Sequence, residues 1–146
     1  MLYWFPLIGT ILALVTVWRM PKHITHKEIY LTWFIMSALT LYIDLFFGEI
    51  LDLFDFVSPK ITLVDLIFEA LLAPAYGVII LNFLPQERWP FIGYLLGVVL
   101  FSVFFEWMAV IFDYLVYKGW KLWYSGIVYL CGVIYLRWHL QYLRSK

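Results

Sequence analysis

The sequence predicts an all-α membrane protein, a helical bundle with about five transmembrane helices forming one domain over residues 1–146. Three observations predict it. The chain is 65% hydrophobic and only 14% charged, whereas a soluble domain is about half apolar and about a quarter charged. Its apolar residues run on without the alternation of barrel strands. The runs are long enough to cross about 30 Å of hydrocarbon, where only a helix or a closed barrel satisfies the backbone. At roughly 20 residues per span, five spans leave short connectors and no room for a soluble domain.

The first span is expected at residues 2–18. No basic residue precedes it and no small-residue cleavage pattern follows, so it reads as a retained span, not a signal peptide. A basic connector, Arg19 to Glu28, leads to a second span at 29–47, or on to Phe56, which Ser58, Pro59 and Lys60 break. The third span, 61–84, carries Pro74, an expected kink one turn past Glu69. Pro85 and Pro90 bound the turn before the fourth span, 91–115, in which Gly93 and Gly97 form a close-packing pair. The fifth span is 123–141, followed by the basic tail Arg144 to Lys146. Asn82 reads as a packing or capping residue, and the lone Cys131 as a small core residue. His23, His26 and His139 fall in basic connectors or the tail and have no companion ligands. No phosphate loop, nucleophile triad or nucleotide fingerprint is present. The basic residues serve as membrane-face anchors, so no nucleic-acid partner is expected.

Lys and Arg set orientation. With alternating spans, Arg19, Lys22, Lys27, Arg88, Arg137, Arg144 and Lys146 share one side, against Lys60, Lys118 and Lys121 on the other. The first side is therefore expected in the cytoplasm, with the amino terminus outside and the carboxyl terminus inside. Trp4, Trp18, Trp89, Trp120, Trp123 and Trp138 near span ends agree with interfacial placement.

The acids are distributed the opposite way. Glu28 and Glu87 lie toward the cytoplasm, while Asp44, Glu49, Asp52, Asp55, Asp65, Glu69, Glu106 and Asp113 fall in the outer half. Acids contribute little to the orientation rule, so this bias needs its own cause. Asp44, Glu69 and Glu106 come at similar depth on three different spans. A charge at such depth costs at least about 2.5–3.5 kcal/mol. Helical spacing adds Asp65 to the Glu69 face, Asp113 with Ser102 to the Glu106 face, and Asp52 beyond Gly48 to the Asp44 face. Asp44, Glu69 and Glu106 are thus expected as core ligands or relay groups, with Asp65, Asp52 and Asp113 as an outer vestibule. With no Lys or Arg at that depth, the charge must be relieved by protonation, by Tyr or Trp donors, by rim lysines or by a cation. Oxygen-only ligands suit Ca²⁺, Mg²⁺ or Mn²⁺, and clustered acids suit proton exchange. The bland alternatives are a solvated surface helix for Glu49, Asp52 and Asp55, helix capping for Asp65 and Asp113, and structural interhelical bonds for the rest.

Phe68-Glu69, Pro74, Leu81-Asn82-Phe83-Leu84-Pro85, Glu106 and the run Tyr117, Trp120, Trp123-Tyr124-Ser125 resemble a family of small multi-pass membrane proteins of endospore-forming Firmicutes, bacilli and clostridia. The resemblance covers roughly residues 60–140. It implies a bacterial plasma or spore membrane and a helical bundle, and no activity. Three functions compete. The first is an outward-opening intramembrane carboxylate site that binds a cation or exchanges protons, in a homo-oligomer if it conducts. The second is a structural subunit with a membrane-protein partner in a spore or envelope complex. The least favoured is a metal-dependent enzyme acting on lipid, because intramembrane positive partners for phosphate are missing.

Overall fold

The computed structural model describes residues 3–57 and 61–145. Leu2, the break at Ser58, Pro59 and Lys60, and Lys146 lie outside the described residues. Those described form an all-helical protein with helices α1 (Trp4–Arg19), α2 (His26–Asp44), α3 (Leu63–Asn82), α4 (Arg88–Ile111) and α5 (Leu122–Arg144). A π-helical segment, Leu45–Ile50, continues α2, and two short strands, β1 (Phe54–Asp55) and β2 (Val116–Tyr117), pair antiparallel.

Three helical stretches are long and apolar enough to cross a membrane: His26–Ile50, Leu63–Asn82 and Arg88–Ile111. Helix α1 has 16 residues, about 24 Å at 1.5 Å per residue. Helix α5 has the length, but Trp123, Tyr124, Tyr129, Tyr135, Trp138 and Tyr142 dilute its aliphatic character. The burial pattern is that of a bundle with its apolar surface turned outward. Only 6% of the most apolar window of α2 and 11% of that of α4 are buried, against 39% for α3.

Helix α3 is therefore the core helix, with α1 and α2 packed on it, while α4 pairs with α5. Gly77 admits α2 closely, since a Cβ there would stand 2.8 Å from Met36 Cγ. Pro74 lies within α3 and is fully buried.

Local sequence sets the helix ends. Thr25 and Glu28 form a capping box at the start of α2, and Thr62 with Asp65 form another at the start of α3. The fourth helix ends at Ile111 rather than at the expected residue 115 because Asp113 turns left-handed, φ 60°. The amide of Asp113 donates to the Val110 carbonyl at 3.1 Å and that of Tyr114 to the Ala109 carbonyl at 2.9 Å, a Schellman closure. Asp52, φ 53°, is a second left-handed residue just after the π-helical extension, and the Leu53 amide donates to the Phe47 carbonyl at 2.9 Å.

The basic end of the bundle is tied by polar contacts around an apolar cluster that includes Val78, Leu81, Val133 and Leu136. Asn82 Oδ1 accepts from the His23 amide at 2.6 Å and its Nδ2 donates to the Pro21 carbonyl at 2.9 Å, so it is a packing residue. Arg144 Nε donates to Glu28 Oε2 at 2.8 Å, joining the far ends of the chain. His139, expected in the tail, is buried in α5 at 3.0 Å from Thr32 Oγ1. Cys131 is exposed, not in the core. The opposite end is closed by Phe54, Phe56, Ala109 and Tyr114.

Candidate carboxylate site

Between the two apolar clusters lie carboxyl groups from α2, α3 and α4. The side chains of Asp44 and Glu69 face each other, and Glu106 is close enough to Asp44 for their charges to interact. Asp65, one turn before Glu69, is fully buried. The sequence-predicted residues Asp44, Glu69, Glu106 and Asp65 are thus brought into one region. A carboxyl–carboxyl hydrogen bond needs one proton between the partners, since two ionised carboxylates can only accept.

Glu106 is held differently. Its Oε2 accepts from the hydroxyls of Tyr117 and Ser125, and its Oε1 accepts from Tyr129 Oη at 2.7 Å. Trp120 Nε1 donates to Ser125 Oγ at 2.7 Å, which orients that hydroxyl. Donors from β2 and α5 therefore converge on a carboxylate of α4, and accepting from all of them is the role of the ionised form. Burial first, then the bond to Glu106, raises the Tyr117 pKa above the ordinary phenol value, so it stays a donor.

Asp65 combines two tasks. Its Oδ2 accepts from the Thr62 amide at 2.9 Å and from Thr62 Oγ1 at 3.0 Å, completing the cap of α3. Tyr3 Oη reaches Thr62 Oγ1 at 3.3 Å, bringing α1 to the same point. Asp65 Oδ1 and Glu69 Oε2 are buried and have no hydrogen-bond partner among the described residues. Nor does any Lys, Arg or His of the described residues lie within ion-pair distance of Asp44, Asp65, Glu69 or Glu106.

Two of the predicted residues do not join them. Asp52 is exposed and its Oδ1 lies 2.6 Å from Lys118 Nζ, while Asp113 is exposed at the end of α4. Continuing the α-helical spacing past residue 44 put Asp52 on the Asp44 face, but the π-helical segment and the left-handed turn rotate it away. The Asp113 turn has the same effect on the Glu106 face. Glu49 and Asp55 do not lie on a separate surface helix either. Glu49 Oε1 accepts from the Ile61 amide at 3.3 Å, and Asp55, in β1, lies 3.0 Å from Lys118 Nζ. Asp52, then Asp55, raise the Lys118 pKa.

The paired strands β1 and β2 lie beside the site. The Leu53 carbonyl accepts from the amides of Lys118, Gly119 and Trp120 at 2.9–3.1 Å, which fixes β2 and hence Tyr117. Tyr114 lies on the Asp44, Asp65 and Glu69 side. The residues the sequence reading missed are Tyr117, Ser125 and Tyr129. Tyr and Trp donors were anticipated as a type; Tyr117 and Ser125 stood in the run that carries the family resemblance, and Tyr129 is a hydroxyl in an otherwise apolar stretch. No family model, curated protein or solved structure matches the chain.

Proposed function

We propose that this chain is a multi-pass protein of a bacterial plasma or spore membrane, with five spans, the amino terminus outside and the carboxyl terminus cytoplasmic, and that its carboxyl site takes up and releases protons in the outer half. The Asp44–Glu69 contact carries the reading. Two carboxyls facing each other without a basic partner hold a proton between them, and a change of that proton changes the charge of the site. Helices α1 and α5 complete the five spans: α5 through length, α1 through flanking Trp4 and Trp18, both exposed at its ends. The orientation rests on the bias of Arg19, Lys22, Lys27, Arg88, Arg137, Arg144 and Lys146 toward one side of the alternating spans. A divalent ion is a weaker fit, because the carboxyl contact uses oxygens that Ca²⁺, Mg²⁺ or Mn²⁺ would coordinate. Conduction through so few helices calls for a homo-oligomer.

A second reading, a structural subunit, is favoured by the saturation of Glu106, whose three donors tie α4 to α5 and β2. Infrared difference spectra of the reconstituted protein between acidic and alkaline buffer separate the two. The proton reading expects a protonated-carboxyl C=O band that titrates and is lost in Glu69→Gln and Asp44→Asn. A spectrum without that band leaves the structural reading.

A further inference from the structure

We infer that the buried oxygens Asp65 Oδ1 and Glu69 Oε2 form a binding position for a monovalent alkali cation, Na⁺ or Li⁺ in chemical class, that competes with the proton of the Asp44–Glu69 pair. The inference rests on the proton reading of that pair and adds the second ligand.

Three observations carry it. First, Asp65 is 0% exposed, so the environment of its free oxygen is the protein interior. Its Oδ2 accepts from the Thr62 amide and hydroxyl. Its Oδ1 is left in the interior with no donor to meet it. Second, Glu69 Oε2 is likewise buried and without a donor, on the next turn of the same face of α3. Asp44 faces the same carboxyl group. Third, Asp44, Asp65, Glu69 and Glu106 lie in one region, and no described basic side chain is within ion-pair distance of them. Uncompensated buried charge of this kind is neutralised by a partner or by a bound ion.

The free oxygens select the class of ion. Hard oxygen ligands suit alkali and alkaline-earth ions and not zinc or copper. A calcium site gathers six to eight oxygens and magnesium a near-ideal octahedron. Here the Thr62 cap has already taken the other Asp65 oxygen. Two free carboxylate oxygens fit a single positive charge. Because Glu69 belongs both to the proton pair and to the cation position, filling one alters the other.

The test uses the full-length protein in nanodiscs and a hydrophobic carbodiimide, which modifies protonated carboxyls, read by peptide mass spectrometry. Modification at Glu69 or Asp44 is expected, faster at lower pH. Replacing choline chloride by NaCl or LiCl at constant ionic strength should slow it at least about ten-fold, and each unit of acidification should raise the salt concentration needed about ten-fold, as one-for-one competition requires. Asp65→Asn, whose amide oxygen still accepts from Thr62, should keep the modification and lose the salt protection. Equal rates in choline, Na⁺, Li⁺ and K⁺ overturn the cation position and leave the proton pair standing. Protection by low Ca²⁺ or Mg²⁺ with none by Na⁺ overturns the monovalent class. No modification of either residue at any pH overturns the proton reading and this inference with it.

Discussion

Tyr129→Phe should be the most costly single loss in the Glu106 cage. The substitution deletes one hydroxyl and leaves the ring, so no large cavity opens. Its effect follows from how the donors are shared. Tyr129 is the single described donor to Oε1, whereas Tyr117 and Ser125 both serve Oε2. A hydrogen bond to a charged group contributes about 1.5–3 kcal/mol, and a buried acceptor left bare costs about 1–3 kcal/mol. Interhelical bonds in membranes measure lower, about 0.6–1.7 kcal/mol, since the dissociated helices find other partners. The expected cost of Tyr129→Phe is therefore about 1.5–2 kcal/mol, and that of Tyr117→Phe about 0.5–1 kcal/mol while Ser125 remains. Tyr117→Phe with Ser125→Ala strips Oε2 and should exceed the sum of the single costs by at least about 0.5 kcal/mol. Reversible unfolding in mixed micelles by titrated dodecyl sulfate, followed by tryptophan fluorescence, measures wild type, Tyr129→Phe, Tyr117→Phe, Ser125→Ala and the double variant. Equal costs for the two tyrosines, or strict additivity of the Oε2 pair, refute the assignment of donors.

Other outcomes follow from the packing. Lys118 has a raised pKa, so its ion pairs with Asp52 and Asp55 are complete below the ordinary lysine value of 10.5 and are lost only as pH rises through the higher folded value. Amide exchange of residues 53–55 and 116–120 should stay slow to alkaline pH in the native chain and become faster already at neutral pH in Lys118→Gln. Gly77→Val drives its side chain into Met36 and should cost about 1–3 kcal/mol. Gly97→Ala meets nothing within 4 Å and should change stability by less than about 0.5 kcal/mol. Both are read by the same unfolding assay. Arg144→Gln removes the bonds to Glu28, whose Oε1 keeps the Thr25 amide. With the Arg144 side chain 47% exposed, the cost should be about 0.5–1 kcal/mol and smaller in high salt.

Composition and run length were enough to determine an all-helical chain with helices long and apolar enough to cross a membrane, because hydrocarbon leaves the backbone few ways to pair. Side-chain spacing was enough to put Asp65 and Glu69 on one face, since α3 is a regular helix between a Thr62 cap and Asn82. Depth along each run anticipated that Asp44 and Glu69 would face each other, with Glu106 near enough for its charge to reach Asp44. Sequence spacing failed where the helix departs from its ideal form. The π-helical segment after Asp44 and the left-handed turns at Asp52 and Asp113 change the direction of every later side chain, and aspartate at such a turn looks no different in sequence from aspartate on a helix face. Only the tertiary structure decided which carboxyls are paired, which are satisfied and which are bare. That depends on Tyr117, Ser125 and Tyr129 arriving from β2 and α5 at Glu106, on Thr62 holding half of Asp65, and on Asp44 reaching Glu69 across two helices. Such contacts are set by the angle and rotation of packed helices, which hydrophobic periodicity leaves free when nearly every face is apolar.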